Sequence, residues 1–398
     1  MSEVIIISIT VHFADMPDPR GHSNALRHSL HDILVIGLCA TLCGAETFVE
    51  MEGFGNSKLD WLRERLGLEL PSGIPSHDTF GRIFSRLNPE AFATCFRAWT
   101  QEIQRQCKGQ VIAVDGKTLR RSFNKATGRA AVHMVSAWSS RNRLVLGQLA
   151  IDSKSNEITA VPALLKMLDL AGCIVTVDAL NCQKSVAEQV LAQKGDYLFA
   201  LKRNHPQLHE DAAAYFSWAL GRVAKGADRS SLFTSYADSH EYGHGRREVR
   251  RCWCVEAMAE EWPEAVRQWP GLRSIIMVES ERSFSQITEK GHSTWGPPSR
   301  EQRYYLSSLA ADAASILDAV RDHWGIENSV HWVLDVAFRE DECRIRKDNA
   351  AINMAMLRHL GLNLLRQDTS NKHGIKAKRM RAGWDNEYLL RILAAPES

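Results

Sequence analysis

The stretch Cys173–Leu180, CIVTVDAL, predicts a buried β-strand that ends in an acid, Asp178. An earlier stretch, Gln110–Lys117, reads QVIAVDGK and predicts a second buried strand, which Asp115 closes. Ligands of open α/β sheets bind at the carboxyl ends of the strands. One acid at such a position often only caps a turn, but two of them, each followed by a small residue, indicate a functional edge.

The segments around these strands predict a mixed α/β core. Strand-like runs (HMVSAWSS, RLVLGQLAID, DYLFALK) are joined by helical patterns (NEITAVPALLKMLDL, CQKSVAEQVLAQKG). Four further strand-like runs, at 231–236, 248–255, 273–279 and 302–307, predict a β-rich insertion. Before the core, residues 22–106 have the apolar spacing of an all-α domain. Within that domain, IPSHDTFGRIFSRL predicts a short helix capped by Ser76, which suits a helix-turn-helix contact with DNA or plain packing equally well.

A third candidate acid lies far along the chain, in HWGIENSVHWVLDV. A helical pattern there places His323, Glu327 and His331 on one stripe that contains no aliphatic residue. Trp324 and Trp332 flank this stripe, which favours a cleft over a solvent-exposed face. A zinc site on the histidines is the weaker alternative, because the HExxH order is missing.

Together, the three acids offer the carboxylate oxygens that Mg²⁺ and Mn²⁺ prefer. Two such ions about 3.5–4 Å apart can activate a water or a 3′-hydroxyl and stabilise the leaving oxygen of a phosphoryl displacement. Asp115, Asp178 and Glu327 are therefore the candidate metal ligands.

Motifs along nearly the whole chain resemble the landmarks of one family, the bacterial insertion-sequence DDE transposases of the ISAs type, in the branch that includes the H-repeat-associated proteins. The motifs occur in the family's order: VIAVDGKTLRRS, DSKSNEITAVPALL, TVDALNCQKSVAEQV, YLFALKRNHP, YGHGRREVRR, RYYLSSL and HWGIENSVHWVLDVAFREDECRIR. The segment from about Pro17 to Phe84 resembles the helical domain associated with that family.

The resemblance implies an RNase H-like catalytic core, interrupted by the β-rich insertion between the second Asp and the Glu. Asp115, Asp178 and Glu327 would be its catalytic residues and would hold Mg²⁺ or Mn²⁺, as two ions. The implied function is a DNA transposase, a polynucleotidyl transferase and endonuclease that hydrolyses a phosphodiester at its element's ends and joins the freed end to target DNA. A nuclease of the same fold that cuts without joining, and a decayed DNA-binding relative, remain alternatives.

The expected partners are DNA, as terminal inverted repeats and target, and a second protomer bound with it. No membrane partner is expected, and the expected location is the bacterial cytoplasm, at the nucleoid. The expected organisation is a leader of unclear role over 1–16, a helical domain with possible end binding over 17–107, and the first part of the core over 108–220. The insertion follows over 221–310, and 311–398 supplies the Glu helix and a basic C-terminal region.

One departure concerns the wider cut-and-paste superfamily, whose Glu helix carries Tyr-x2-Arg-x3-Glu-x6-Lys, whereas this chain has Val320, His323 and Leu334. We expect His323 to make the phosphate contact of the missing Arg, with Arg321 or His331 assisting. The other candidate DNA contacts are Lys117, Arg120, Arg121, Lys184, Lys202, Asn204, His244 and Arg246.

Composition gives further information on the partner, on the redox environment and on membrane segments. The chain has 398 residues, with 49 Lys and Arg against 47 Asp and Glu, so whole-chain charge identifies no partner. Basic residues nevertheless cluster locally, since residues 116–151 contain seven Lys and Arg and no acid. Such a stretch is typical of a surface that binds phosphates. Nine mostly isolated cysteines fit a reduced cytosolic protein, and we expect Cys252 and Cys254 to pack in a core rather than bind zinc. No signal peptide is predicted, and the apolar run 33–45 is too short to span a bilayer and predicts a buried helix.

Overall fold

The computed structural model describes residues 8–394 except 15, 22–25, 104–108, 124–127, 152–155, 244, 258–261 and 288–292. The chain divides into two compact units. The first comprises Met1–Gln106, Asp115–Ala160 and Gly325–Ser398, and the second comprises Cys107–Val114 and Val161–Trp324.

The helices are α1 (Ser8–Phe13), α2 (Leu30–Leu42), α3 (Phe48–Ser57), α4 (Leu59–Leu66), α5 (His77–Arg86), α6 (Pro89–Ile103), α7 (Glu157–Lys166), α8 (Lys184–Ala192), α9 (Pro206–Ala224), α10 (Glu264–Arg267), α11 (Ala313–His323), α12 (Trp332–Phe338), α13 (Ala350–Gln367), α14 (Ile375–Trp384) and α15 (Asn386–Leu393). The strands are β1 (Val111–Thr118), β2 (His133–Ser139), β3 (Leu144–Ile151), β4 (Ile174–Val177), β5 (Asp196–Leu201), β6 (Ser235–Gly243), β7 (Arg246–Glu256), β8 (Ser274–Ile287), β9 (Ser293–Trp295) and β10 (Ser299–Ser307).

Two helices that are apolar on nearly all sides form the centre of the first unit. Every residue of α2 except His31 is buried, and α13 is buried along most of its length and packs against α2. A helix that is hydrophobic all round is stable only when other elements enclose it. The apolar run 33–45 is thus a buried helix, as predicted, and no helix among the described residues has the length and apolarity to cross a membrane.

Polar side chains tie these helices to the strands of the first unit. β2 and β3 form an antiparallel pair, and α6 and α13 pack against β3. Asn363 of α13 is fully buried, and its amide accepts a 2.8 Å hydrogen bond from the Val145 N–H and donates a 2.9 Å bond to the Val145 carbonyl. Thr100 of α6 donates to the Leu146 carbonyl at 3.0 Å. These bonds satisfy backbone groups of β3 that would otherwise be buried without partners.

The second unit contains a mixed sheet, in which the strands follow the order β1-β4-β5-β10-β8-β7-β6 and β9 pairs with β8. β1, β4 and β5 are parallel, whereas the strands from β10 to β6 are antiparallel. α11 covers an apolar cluster on this sheet that includes the fully buried Cys252 and Cys254. The antiparallel strands lie in the sequence between Asp178 and Glu327, where the β-rich insertion was predicted.

Two helices begin where their predicted N-terminal capping residues indicate. Asn156 precedes α7 and accepts a hydrogen bond from the Thr159 N–H at 3.2 Å. Ser76 precedes α5, although its hydroxyl contacts the Thr79 hydroxyl instead of a backbone N–H. Phe13 of α1 is buried and its ring lies 5.9 Å from that of Phe92, so part of the segment predicted to be a leader packs in the first unit.

Candidate active site at Asp115, Glu327 and His331

Asp115 lies within β1, at the point where the strand stops being buried. Residues Val111–Val114 of β1 are buried, whereas Asp115 and the residues after it are half-buried or exposed. The prediction that Asp115 closes the strand is therefore wrong, because pairing continues to Thr118. The apolar pattern marks where a strand leaves the core, but backbone pairing can continue beyond that point.

Glu327 and His331 lie on one widened helical turn. The predicted continuous helix ends at His323, and Glu327–His331 form a π-helical turn before α12 begins. Turns of this kind are rare and occur often at functional sites. Apolar periodicity did not reveal the turn, because Ile326, Val330 and Val333 keep the i, i+4, i+7 spacing of an ordinary α-helix.

The π turn places two of its side chains beside Asp115. The His331 Nδ1 lies 3.5 Å from Oδ2 of Asp115 and 3.4 Å from Oε2 of Glu327. One ligand atom from each of the three residues lies within 4.8 Å of the others. His331 is buried, Asp115 is half-buried and Glu327 is exposed. The cluster therefore opens to solvent on the Glu327 side and is closed behind His331.

Burial lowers the pKa of His331 below its ordinary value, although the Glu327 carboxylate acts in the opposite direction. A neutral imidazole can donate one N–H to a carboxylate or offer a lone pair to a metal. Two carboxylates fit Mg²⁺ or Mn²⁺, while an imidazole ligand suits transition metals better than Mg²⁺. The donor set thus fits a divalent cation, with His331 best suited to holding the two carboxylates in position.

Next to this cluster, Lys117 is held by acids that follow Glu327. Its ammonium bonds to Asp335 of α12, lies 3.0 Å from Oε2 of Glu340 and 3.7 Å from Oδ1 of Asp341. The side chain of Lys117 is 12% exposed and that of Glu340 is 1% exposed. Burial opposes the charge on Lys117, but Glu340 and Asp335 outweigh it and raise the pKa of Lys117. The strand with Asp115 is thereby joined to the helix that follows Glu327.

Behind Lys117, the Glu340 carboxylate has a second cation, Arg358, at 3.6 Å. Burial favours the neutral carboxyl, but Lys117 and Arg358 outweigh it and lower the pKa of Glu340. Sequence reasoning missed this network, although the signal was present, since the acids lie in the quoted motif HWVLDVAFREDECRIR.

Asp178 belongs to the second unit and directly follows β4. Val177, the last residue of β4, is the register partner of Val114 in the parallel pair with β1, and Asp178 is the next residue in the chain. The Asp178 Oδ1 accepts hydrogen bonds from the backbone and side-chain nitrogens of Asn181, at 3.1 and 3.0 Å. As predicted, Asp178 stands at the carboxyl end of a buried strand.

His323, the expected substitute for the missing arginine, is part of the second unit. Its Nδ1 lies 2.9 Å from the Thr176 hydroxyl. Burial lowers the pKa of His323 to about 4, although Asp178 acts in the opposite direction. The side chain is therefore neutral near pH 7, and its expected contact with a phosphate stays a prediction. Next to it, the Arg303 guanidinium lies 4.5 Å from the centre of the Trp324 ring.

The other predicted DNA contacts lie in varied surroundings. Arg120, Arg121, Lys184, Lys202, Asn204, Arg246 and Arg321 are exposed. Arg120 pairs with Asp341 at 3.1 Å, and the Asn204 amide donates to the Ala179 carbonyl. His244 lies outside the described residues. Lys117 is half-buried and His331 is buried, both beside acids, and whether either contacts DNA stays a prediction. In the basic C-terminal stretch, Arg379 is buried and donates to the Thr41 carbonyl.

Two family models match this chain. The family model "Transposase DDE domain" matches residues 106–364, and "DDE_Tnp_1-associated" matches residues 10–100. The chain is 39% identical over 383 residues to the "H repeat-associated putative transposase YhhI" of Escherichia coli K12, which covers 96% of this chain and 97% of that protein. It is 39% identical over 75 residues, 19% of this chain and 86% of the relative, to the "Inactive transposase YbfQ" of the same strain.

A cryo-EM structure of a piggyBac transposase synaptic complex with hairpin DNA is also similar, with 10% identity and a TM-score of 0.41, over 99% of this chain and 79% of that one. The family match and the observed elements confirm the fold expected from the sequence, an RNase H-like α/β core with a β-rich insertion and a helical N-terminal region. The chain belongs to the DDE transposase family.

Proposed function

We propose that this protein is an active DNA transposase that hydrolyses a phosphodiester at its element's ends and transfers the freed 3′-hydroxyl to target DNA. The observation that carries the proposal is the convergence of Asp115, Glu327 and His331 in a chain of the DDE family, from segments more than 200 residues apart. Burying charged and polar groups costs free energy, so packing of the core alone does not explain why two carboxylates lie beside a buried imidazole.

In this proposal Asp115, Asp178 and Glu327 hold divalent ions, Mg²⁺ or Mn²⁺. The ions, when bound, activate the attacking oxygen and stabilise the leaving one. Support for Asp178 comes from the family and from its position at the carboxyl end of the buried strand β4. His331 contacts Asp115 and Glu327 through Nδ1 and acts as a positioning residue.

The chain's other polar groups have supporting roles in the proposal. Lys117, bonded to Asp335 and Glu340, fixes the strand that carries Asp115. The exposed basic residues Arg120 and Arg121, a few positions along from Asp115, would contact DNA phosphates. Two protomers, each bringing one DNA end, would assemble on the DNA.

A decayed, non-catalytic relative is the second candidate, since one similar protein is named inactive. That protein matches only 75 residues of this chain, whereas the match to YhhI extends over 96% of it. All three acids are present here, which favours activity.

The direct experiment identifies the inverted repeats that flank the gene and incubates them, as labelled duplexes, with the purified protein and Mg²⁺. Nicking at the repeat ends, followed by joining of pre-cleaved ends to a plasmid, supports a transposase. Nicking without joining identifies a nuclease of the same fold. Binding of the repeats without any nicking, in Mg²⁺ and in Mn²⁺, identifies a decayed relative.

A further inference from the structure

Along β7, one face of the sheet in the second unit changes from apolar to charged. Side chains alternate along a strand, so Cys254, Cys252, Arg250, Glu248 and Arg246 all lie on one face. The two cysteines are fully buried in the cluster that α11 covers. Beyond them β7 presents only charged side chains on this face, namely Arg250, Glu248 and Arg246.

Glu248 is the centre of this charged part, and its side chain is 1% exposed. Its Oε1 lies 2.7 Å from the Arg250 guanidinium and 2.9 Å from Nε of Arg282, its register partner on β8. Its Oε2 lies 3.3 Å from the Arg246 guanidinium. Burial opposes ionisation, but hydrogen bonding from Arg282 and the three positive charges outweigh it and lower the pKa of Glu248.

The arginines around Glu248 outnumber the acids that pair with them. A second acid, Glu241 of β6, lies 3.1 Å from Arg250 and 2.7 Å from Arg321 of α11. Four guanidinium groups thus share these two carboxylates, and Asp322 of α11 also interacts with the charge of Arg321. Each guanidinium has five N–H donors, more than these contacts use. We call the group Arg246, Arg250, Arg282 and Arg321 the arginine face.

Two of these guanidinium groups are partly exposed to solvent. The side chain of Arg246 is 49% exposed and that of Arg282 is 40% exposed. Phe284, the register partner of Arg246 on β8, is 59% exposed. Guanidinium groups held by a buried carboxylate beside an exposed aromatic ring suit the phosphates and sugars of a nucleic acid strand.

The opposite face of the same strands has a balanced composition. There Arg251 pairs with Glu279 at 2.9 Å and with Glu281 at 3.5 Å, and Arg300 pairs with Glu281 at 3.1 Å. With Arg247 of β7 and Asp238 of β6, three guanidinium groups and three carboxylates lie on this face. The excess on the first face is therefore not a general property of this sheet.

We propose that the arginine face binds backbone phosphates of duplex DNA, with Arg246 and Arg282 making the contacts and Glu248 holding their guanidinium groups in place. The choice of DNA as the ligand rests on the proposed function. An acidic protein surface would match the charge too, but it is disfavoured because Phe284 adds a ring suited to a sugar or base.

The experiment measures binding of the full chain to a fluorescein-labelled duplex of 30 base pairs with random sequence, between 50 and 200 mM salt. Each lost phosphate contact should reduce the slope of log affinity against log salt by about 0.9 and weaken binding roughly tenfold at 0.1 M salt. We expect that loss for Arg246→Ala and about twice the slope change for the double variant with Arg282→Ala. Arg246→Lys should keep the slope.

The matched control is Arg300→Ala, which removes an exposed, singly paired arginine from the balanced face and should leave the slope unchanged. Thermal unfolding of each variant checks that the sheet remains folded. If the double variant unfolds, Arg246→Ala decides alone, since Arg246 is half exposed and has one acid partner. An unchanged slope for Arg246→Ala, or an equal loss for Arg300→Ala, would overturn the inference.

Nicking of the repeat ends, assayed on the same preparations, separates this inference from the proposed function. A protein that nicks DNA while Arg246→Ala keeps its slope contradicts the arginine face alone. A protein that shows the arginine-dependent slope without nicking contradicts the transposase activity alone. A chain that binds no duplex contradicts both.

Discussion

The ammonium of Lys117 lies 3.0 Å from Oε2 of Glu340, a carboxylate whose side chain is 1% exposed. Lys117 is two residues after Asp115 on β1, and Glu340 follows α12, the helix that begins directly after the π turn with Glu327 and His331. The ion pair therefore fixes the relative positions of two segments that supply the candidate metal ligands of the first unit.

Replacing Lys117 by Met should destabilise the protein strongly. The substitution leaves Glu340 buried with only Arg358, at 3.6 Å, to balance its charge. Breaking one partner of a buried ion pair typically costs about 3–5 kcal/mol, and urea unfolding of the variant measures that cost. The matched control is Arg120→Gln, which removes an ion pair from a side chain that is 78% exposed and should cost under about 1 kcal/mol.

A double variant tests the cause of this loss. Lys117→Met combined with Glu340→Gln removes the buried negative charge along with the positive one but takes the carboxylate from the buried Arg358, so only part of the lost stability should return. A Lys117→Met protein as stable as the unaltered chain would show that the pair does not hold these segments together.

Acid should destabilise the protein through buried histidines. Burial lowers the pKa of His359 to about 4, while Glu340 acts in the opposite direction and His331 and Lys117 add to the lowering. In the unfolded chain this pKa is about 6.5. The unfolded state thus binds more protons between pH 6.5 and 4, so the contribution of neutral His359 is complete above pH 6.5 and is lost as the pH falls through this window.

The matched variant is His359→Asn, whose amide can replace the Nδ1 contact with the Ala355 carbonyl. Between pH 7 and 5 the unaltered chain should lose about 2 kcal/mol more of its unfolding free energy than the variant does. Equal pH dependence in chemical denaturation would show that His359 does not titrate differently on unfolding.

Asn363 should be essential for the packing of α13 on β3. Asn363→Leu has nearly the same volume but leaves the Val145 N–H and carbonyl without their partner, each at a cost of about 1–3 kcal/mol. A fall of several kcal/mol is expected in urea unfolding. Gln367→Ala, which removes one bond to the Asn142 carbonyl at a partly exposed site, serves as the control and should cost about 1 kcal/mol.

Most of the fold follows from sequence patterns that report burial. The apolar runs of β1, β4 and β5 predicted buried strands, and the run of α2 predicted an enclosed helix. The strands of the insertion are longer than predicted, since β6 extends to Gly243 and β8 to Ile287. Their outer parts are polar and are joined by cross-strand pairs such as Glu248 with Arg282, which apolar alternation does not reveal.

The candidate site was only partly predictable. Asp115 and Glu327 were expected to act together, and the structure brings them together with His331 between them. Of the predicted stripe, Glu327 and His331 lie together, and His323, the last residue of α11, bonds to Thr176. Spacing along one helix could not reveal the contact with Thr176, nor the contacts between Lys117 and acids more than 200 residues away.

The most direct test of the account is strand cleavage by Asp115→Asn, Asp178→Asn and Glu327→Gln, assayed with Mg²⁺ on duplexes that carry the element's terminal repeats. Each variant keeps the size of the side chain and removes one carboxylate, so each should lose cleavage while it binds the duplex as the unaltered chain does. Glu342→Gln, an exposed carboxylate paired with Arg339, is the control and should cleave normally. Undiminished cleavage by any one of the three variants would contradict the assignment of these acids as the metal ligands.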